Sequence, residues 1–121
     1  MTKLEKEYSE MVDKLTKDPN DINMANIDKD LTHMALGIAG EAGEIVDAIK
    51  KFVIYGKFLD MKNVIEELGD MEFYMEHLRQ ILCLSREEIL DANMQKLLKS
   101  DNARYKNGYS DEAAQERADK Q

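Results

Sequence analysis

Gly40-Glu41-Ala42-Gly43-Glu44 and Glu66-Glu67-Leu68-Gly69-Asp70 decide how this chain is read. Each stretch sets two carboxylates three residues apart, Glu41 with Glu44 and Glu67 with Asp70, inside a long segment of apolar-periodic sequence. A helix advances about 100° per residue, so each pair falls one turn apart on one face. Two such faces turned together would gather four carboxylates in one small space. Four negative charges do not gather there without a cation. Oxygen-only ligands suit a hard cation, of which Mg²⁺ is the common one.

Working outward, the periodicity predicts a long helix from an N-cap at Asp28 to about Val53, with Asp30 in its first turn. Measured from Glu41, the apolar residues Leu31, Met34, Ile38, Ala42, Ile45, Ile49 and Val53 fall between about 20° and 120°. His33, Gly37, Glu44, Ala48 and Lys51 share the arc that Glu41 borders. The acids therefore edge the apolar stripe, whereas a merely solvated face would lie opposite it. Gly37, Gly40 and Gly43 each cost about 0.5–1 kcal/mol relative to Ala inside a helix, which predicts a close approach to the backbone there.

Tyr55–Leu59 reads as a turn, and Asp60 as the N-cap of a second long helix to about Leu84. Val64, Leu68, Met71, Met75, Leu78 and Leu82 form its stripe, again edged by the acids, with Asn63, Tyr74 and His77 on the acidic arc. A short turn between long helices predicts an antiparallel pair. Glu41 lies farther from that turn than Glu67, so a small helix offset or a neighbouring copy must close the site.

Toward the N-terminus, Leu4, Tyr8, Met11, Val12 and Leu15 make a helical stripe over 3–17, ended near Pro19, with a polar connection over 20–27. Toward the C-terminus, Ser85-Arg86-Glu87-Glu88 is a capping box opening a helix that carries Asn93 and fades near Lys99–Asn102. Asn107-Gly108 is a turn, Ser110 opens a short last helix, and the polar tail from about 118 is expected to fray. The expected architecture is a single all-α domain over 1–121. It is a bundle of about four to five helices with two long central antiparallel helices, completed by oligomerisation. The chain carries 25 acidic and 17 basic residues, a net charge of −8, which argues against broad binding to nucleic acid or an anionic membrane. The lone Cys83, the lack of an apolar leader and the lack of a long apolar run point to a cytoplasmic protein.

Several residues carry two readings. Single acids on helices are mostly solvated or salt-bridged. Two pairs, both at the edge of the core and both beside glycines, favour a metal site. A di-iron bundle would want Glu-x-x-His pairs, but Tyr74 precedes His77 and Asp30 precedes His33 at that spacing. His33 and His77 suit an interhelical hydrogen bond as well as a substrate contact. Lys51 suits a phosphate or Asp47 four residues before it.

At these residues the sequence resembles the MazG-like family of all-α nucleoside triphosphate pyrophosphohydrolases, in its small stand-alone bacterial and phage form. The likeness rests on His33 to Glu44 with Lys50-Lys51, on Val64 to Asp70 with Tyr74, and on a tail block of Asn93, Lys96, Leu97, Arg104, Tyr105, Gly108, Tyr109, Ser110 and Arg117. Glu41, Glu44, Glu67 and Asp70 fill the family's Glu-x-x-Glu and Glu-x-x-Asp pattern. The tail departs from it, with seven residues between Lys96 and Arg104. The resemblance implies Mg²⁺-dependent hydrolysis of a (deoxy)nucleoside triphosphate between the α- and β-phosphates, with Mn²⁺ as a possible substitute. It further implies Glu41, Glu44, Glu67 and Asp70 as metal ligands and catalytic acids, and His33, Lys51, Asn93, Lys96 and Tyr105 as substrate contacts. It implies a homodimer or homotetramer, and the charge and hydropathy above point to no nucleic-acid or membrane partner. A non-catalytic helical interaction module, and a phosphohydrolase acting on an alarmone or other nucleotide, are the alternatives.

Overall fold

The computed structural model describes residues 1–121 and contains no strand, as the sequence predicts. Five α-helices follow one another: α1 (Lys3–Leu15), α2 (Asn26–Val53), α3 (Met61–Leu82), α4 (Arg86–Met94) and α5 (Asp111–Glu116). Single 3₁₀ turns lie at Pro19–Asp21 and Ala118–Lys120, and α4 runs into a π-helical turn over Gln95–Lys99.

The caps explain the boundaries. Thr2 and Glu5 form a capping box at α1, and Ser85 and Glu88 form one at α4. The Asp60 side chain accepts from the Asn63 amide at 3.1 Å, as expected of an N-cap. Asp28 corrects the sequence reading. It is not the N-cap of α2 but the third residue inside, and its carboxylate reaches back to accept from the Ala25 amide at 2.9 Å. Helix α3 ends two residues earlier than predicted, because Cys83 adopts φ 56°. The Leu84 and Cys83 amides then close onto the Arg79 and Gln80 carbonyls in a Schellman-type stop.

Helices α2 and α3 form the central antiparallel hairpin. Asp30 meets His77, Gly37 meets Tyr74, and Glu41 meets Glu67 and Asp70, so each step up α2 is a step down α3. Only the glycine at 37 meets the expected close approach: a methyl group there would fall inside the Tyr74 ring. Gly40 and Gly43 have nothing within 4 Å in the chain.

The hairpin seam differs from the predicted stripe. It runs along the boundary between the apolar and acidic arcs, through Met34, Gly37, Ile38, Glu41, Ala42, Ile45 and Ala48 on α2. The outer half of the apolar arc stays open, with Ile49, Val53, Met61, Leu68 and Leu82 all exposed. An apolar arc wider than one helix can cover is the physical reason. Met34, Ala48 and Ala103 alone are buried among 121 residues. The chain exposes 9975 Å², whereas a compact monomer of 13.9 kDa exposes about 6,700 Å².

The tail corrects another expectation. It does not fray at 118: the Asp119 side chain is 4 % exposed and takes a two-pronged bond from Arg104, at 2.8 and 3.2 Å.

Candidate active site

The register of the hairpin places the acids. Glu41 stands 12 residues before the end of α2 and Glu67 six after the start of α3. At 1.5 Å per residue those positions differ by about 9 Å along the axis. The Ile54–Asp60 connection absorbs this offset. It reverses at Gly56, whose φ is +64°, and the Lys57 amide reaches back to the Lys51 carbonyl at 3.2 Å. One chain therefore brings carboxylate oxygens of Glu41, Glu67 and Asp70 within 4.8 Å of one another.

Their electrostatics are those of a site short of positive charge. Glu41 Oε2 is shielded from solvent and has no hydrogen-bond donor. The adjacent Glu41 carboxyl raises the pKa of Glu67, first by sharing a proton with it. Desolvation and the charges of Glu41 and Asp70 act in the same direction. No Lys or Arg forms an ion pair with any of the three. Clustered oxygens, one of them shielded and unpartnered, fit a hard divalent cation, and the cluster could hold one.

Glu44, the fourth acid of the pattern, is exposed and lies outside this trio. Its charge bears instead on Lys51, which pairs with Asp47 at 2.9 Å. Asp47, with lesser help from Glu44 and Asp60, raises the Lys51 pKa. His33 is exposed, its ring centroid 6.2 Å from that of Tyr74. His77 makes an interhelical bond, with Nε2 3.0 Å from Asp30 and Nδ1 3.0 Å from the Gln80 side-chain oxygen.

The tail residues gather elsewhere. The π-helical turn and the fold-back at buried Ala103 let the Arg104 and Tyr105 amides donate to the carbonyls of Lys96 and Leu97, at 3.0 and 2.9 Å. The seven residues between Lys96 and Arg104 thus form a closed loop that brings the two cations back together. Both bear on Asp119, whose pKa Arg104 lowers first through its hydrogen bonds. Tyr105 lies 5.6 Å from Tyr109, centroid to centroid. Asn93 is exposed on α4, and no hydrogen bond or ion pair joins it, Lys96 or Tyr105 to the carboxylates of the hairpin.

Sequence reasoning missed Asp119 and the pairing of Asp30 with His77. A lone acid in a polar tail carries no periodic signal. Asp30, by contrast, shares the acidic arc of its helix, and that placement was the available clue.

A family model described as the MazG nucleotide pyrophosphohydrolase domain matches residues 29–105, well over half of the chain. That span holds the whole hairpin site and stops short of α1 and of Asp119. No curated protein and no solved structure matches the chain.

Proposed function

We propose that this chain, which belongs to the MazG nucleotide pyrophosphohydrolase family, hydrolyses (deoxy)nucleoside triphosphates between the α- and β-phosphates in a Mg²⁺-dependent reaction. The products are the nucleoside monophosphate and pyrophosphate. The observation that carries this reading is the convergence of Glu41, Glu67 and Asp70 within 4.8 Å around a shielded, unpartnered carboxylate oxygen.

In this reading Glu41, Glu67 and Asp70 hold the cation, and Glu44 joins them once substrate is bound. When bound, Mg²⁺ neutralises polyphosphate charge and acidifies water near the α-phosphorus. The residues do the rest. A carboxylate oxygen not used as a ligand accepts the proton of the attacking water, and one of the glutamates supplies it. Lys51, on the same helix as Glu41 and paired with Asp47, exchanges that partner for a phosphate oxygen. His33, exposed beside the Tyr74 ring, would meet base or sugar. Asn93, Lys96 and Tyr105 lie apart from the carboxylates within one chain. Their role as substrate contacts therefore requires a homodimer or homotetramer in which one copy's tail approaches its neighbour's hairpin. The open apolar arc and the area left exposed support such an assembly.

The test is pyrophosphate release from the eight common NTPs and dNTPs, with Mg²⁺ and with EDTA. Release should require the metal. Glu41→Gln and Asp70→Asn should each lower turnover by a factor on the order of 100 or more, with the helical circular dichroism unchanged. Turnover equal to wild type in either variant would remove the metal-site reading.

A further inference from the structure

The glycines of the hairpin are not alike. Gly40, Gly43 and Gly69 have nothing within 4 Å of the place a methyl group would take. At Gly37 a methyl carbon would stand within 2.6 Å of Tyr74 Cδ1, Cε1 and Cγ. The Tyr74 ring therefore rests on the backbone of α2, where any other residue would hold it off.

This contact is the rung beside the carboxylates. Gly37 stands four residues before Glu41 on α2, and Tyr74 four residues after Asp70 on α3. Four residues are about one turn, so each lies about 6 Å along the axis from its acid and on the same face. Glu41 meets Glu67 and Asp70 across the antiparallel seam, which sets the ring and the acid cluster next to each other. Neither helix has a proline or a break between the two rungs. The separation of the helices at Gly37 is therefore passed on to the acids. The ring itself has little room to absorb a change. It is half-buried, with Phe73 edge-on at 5.5 Å and the His33 ring at 6.2 Å, centroid to centroid.

The magnitudes make that separation matter. Two carbons in contact stand about 3.5 Å apart, so an added methyl at position 37 forces ring and backbone apart by about 1 Å. Mg²⁺ holds its oxygens at about 2.0–2.1 Å in a near-octahedral shell, and Ca²⁺ holds them at about 2.3–2.6 Å in a looser one. Oxygens on opposite sides of the ion thus stand about 0.8 Å farther apart around Ca²⁺. The displacement that one methyl group would cause is the size of the difference between the two ions.

We propose that the Tyr74 ring, seated on Gly37, is the spacer that sets the bore of the carboxylate site and favours a cation the size of Mg²⁺ over one the size of Ca²⁺. The proposal rests on the cation site read above for Glu41, Glu67 and Asp70, and deepens it by naming what selects the ion. Tyr74 is here a positioning residue: it acts through the two helices and holds no metal itself.

The experiment reads metal binding without nucleotide or turnover. Mn²⁺ bound to the full chain is followed by electron paramagnetic resonance, and Mg²⁺ and Ca²⁺ are each titrated in to displace it. Gly37→Ala should move the ratio of the two affinities toward Ca²⁺ by a factor on the order of five or more. In Gly37→Ala/Tyr74→Leu the smaller side chain makes room for the methyl, and the ratio should return toward that of wild type. Gly40→Ala, with open space around it, should leave the ratio unchanged. If Gly37→Ala loses its helical signal, Tyr74→Trp enlarges the ring on an intact Gly37 and should move the ratio in the same direction. Simple destabilisation would weaken both ions together. An unmoved ratio in the enlarged variant, or a displaced ratio that the double variant fails to restore, overturns the spacer while the cation site stands. A wild-type chain that binds no Mn²⁺ overturns both.

Discussion

Gly37 and Tyr74 show how a single atom sets the hairpin's spacing. Exchanging Gly for Ala inside a helix normally stabilises by about 0.5–1 kcal/mol. Here the added methyl would enter the Tyr74 ring, and the ring is packed edge-on against Phe73 with centroids 5.5 Å apart. We expect Gly37→Ala to destabilise by about 1–3 kcal/mol in urea unfolding, the cost of overpacking. Gly40→Ala, with open space around it, should not. A few residues along the seam, His77 holds the two helices together through charge. The Gln80 oxygen and then Asp30 raise its pKa above the ordinary value, against a smaller opposing effect of desolvation. A folded pKa above the unfolded value of about 6.5 stabilises the protonated fold. That contribution is complete below the unfolded pKa and disappears as pH rises through the folded one. Thermal melts should therefore show a decline above pH 6.5 that His77→Asn flattens; parallel profiles for the two proteins would refute the coupling. The convergence of Glu41, Glu67 and Asp70 was legible in the sequence because their spacing is a helical property. That Glu44 sits outside the trio was not, because rotation within the seam depends on the Tyr74–Gly37 contact between two helices.

At the scale of elements, the sequence reading located helices best where a side chain caps them. Ser85, Asp60 and Ser110 each perform the predicted cap. Asp28 was misplaced because the same residue type serves at the cap, where it accepts from the N2 or N3 amide, and at the third helical position, where it accepts from the N-cap amide, here that of Ala25. The end of α3 was invisible for a different reason: Cys83 holds a left-handed conformation usually taken by Gly, so no residue type announces the stop. A side chain in that region costs about 1–2 kcal/mol, which Gly would not incur. Allowing for the greater freedom Gly gives the unfolded chain, Cys83→Gly should stabilise by about 0.5–1 kcal/mol. The readout is a higher midpoint in urea with an unchanged slope. An equal or lower midpoint would mean that the Cys83 side chain has packing the single chain does not reveal. The closed loop of Lys96 to Arg104 belongs to this scale too. A π-helical turn adds a residue to the helix without any sequence mark, and it re-aims Lys96 toward the tail carboxylate.

For the whole molecule, the sequence predicted a core along two apolar stripes, and the single chain buries only part of each. The reason is geometric: two helices share one seam, and an arc of about 100° on each leaves a second flank that a third and fourth helix must cover. Helices α1 and α4 do not supply that cover, since α1 is exposed throughout and Ile89, Leu90 and Met94 of α4 are exposed as well. The proposed association makes stability depend on protein concentration, because it removes exposed apolar area at about 25 cal/mol per Å² only in the assembled state. For a dimer that unfolds as it dissociates, each tenfold dilution removes about 1.4 kcal/mol from the assembled state. For a domain of this size that corresponds to a fall in Tm of several degrees. We therefore expect melts recorded from micromolar to hundreds of micromolar protein to shift upward steadily with concentration. Val46→Asp, on the open flank of α2, should lower the curve and bring it closer to that of a monomer. A Tm independent of concentration across that range would mean that the flank is covered within the chain.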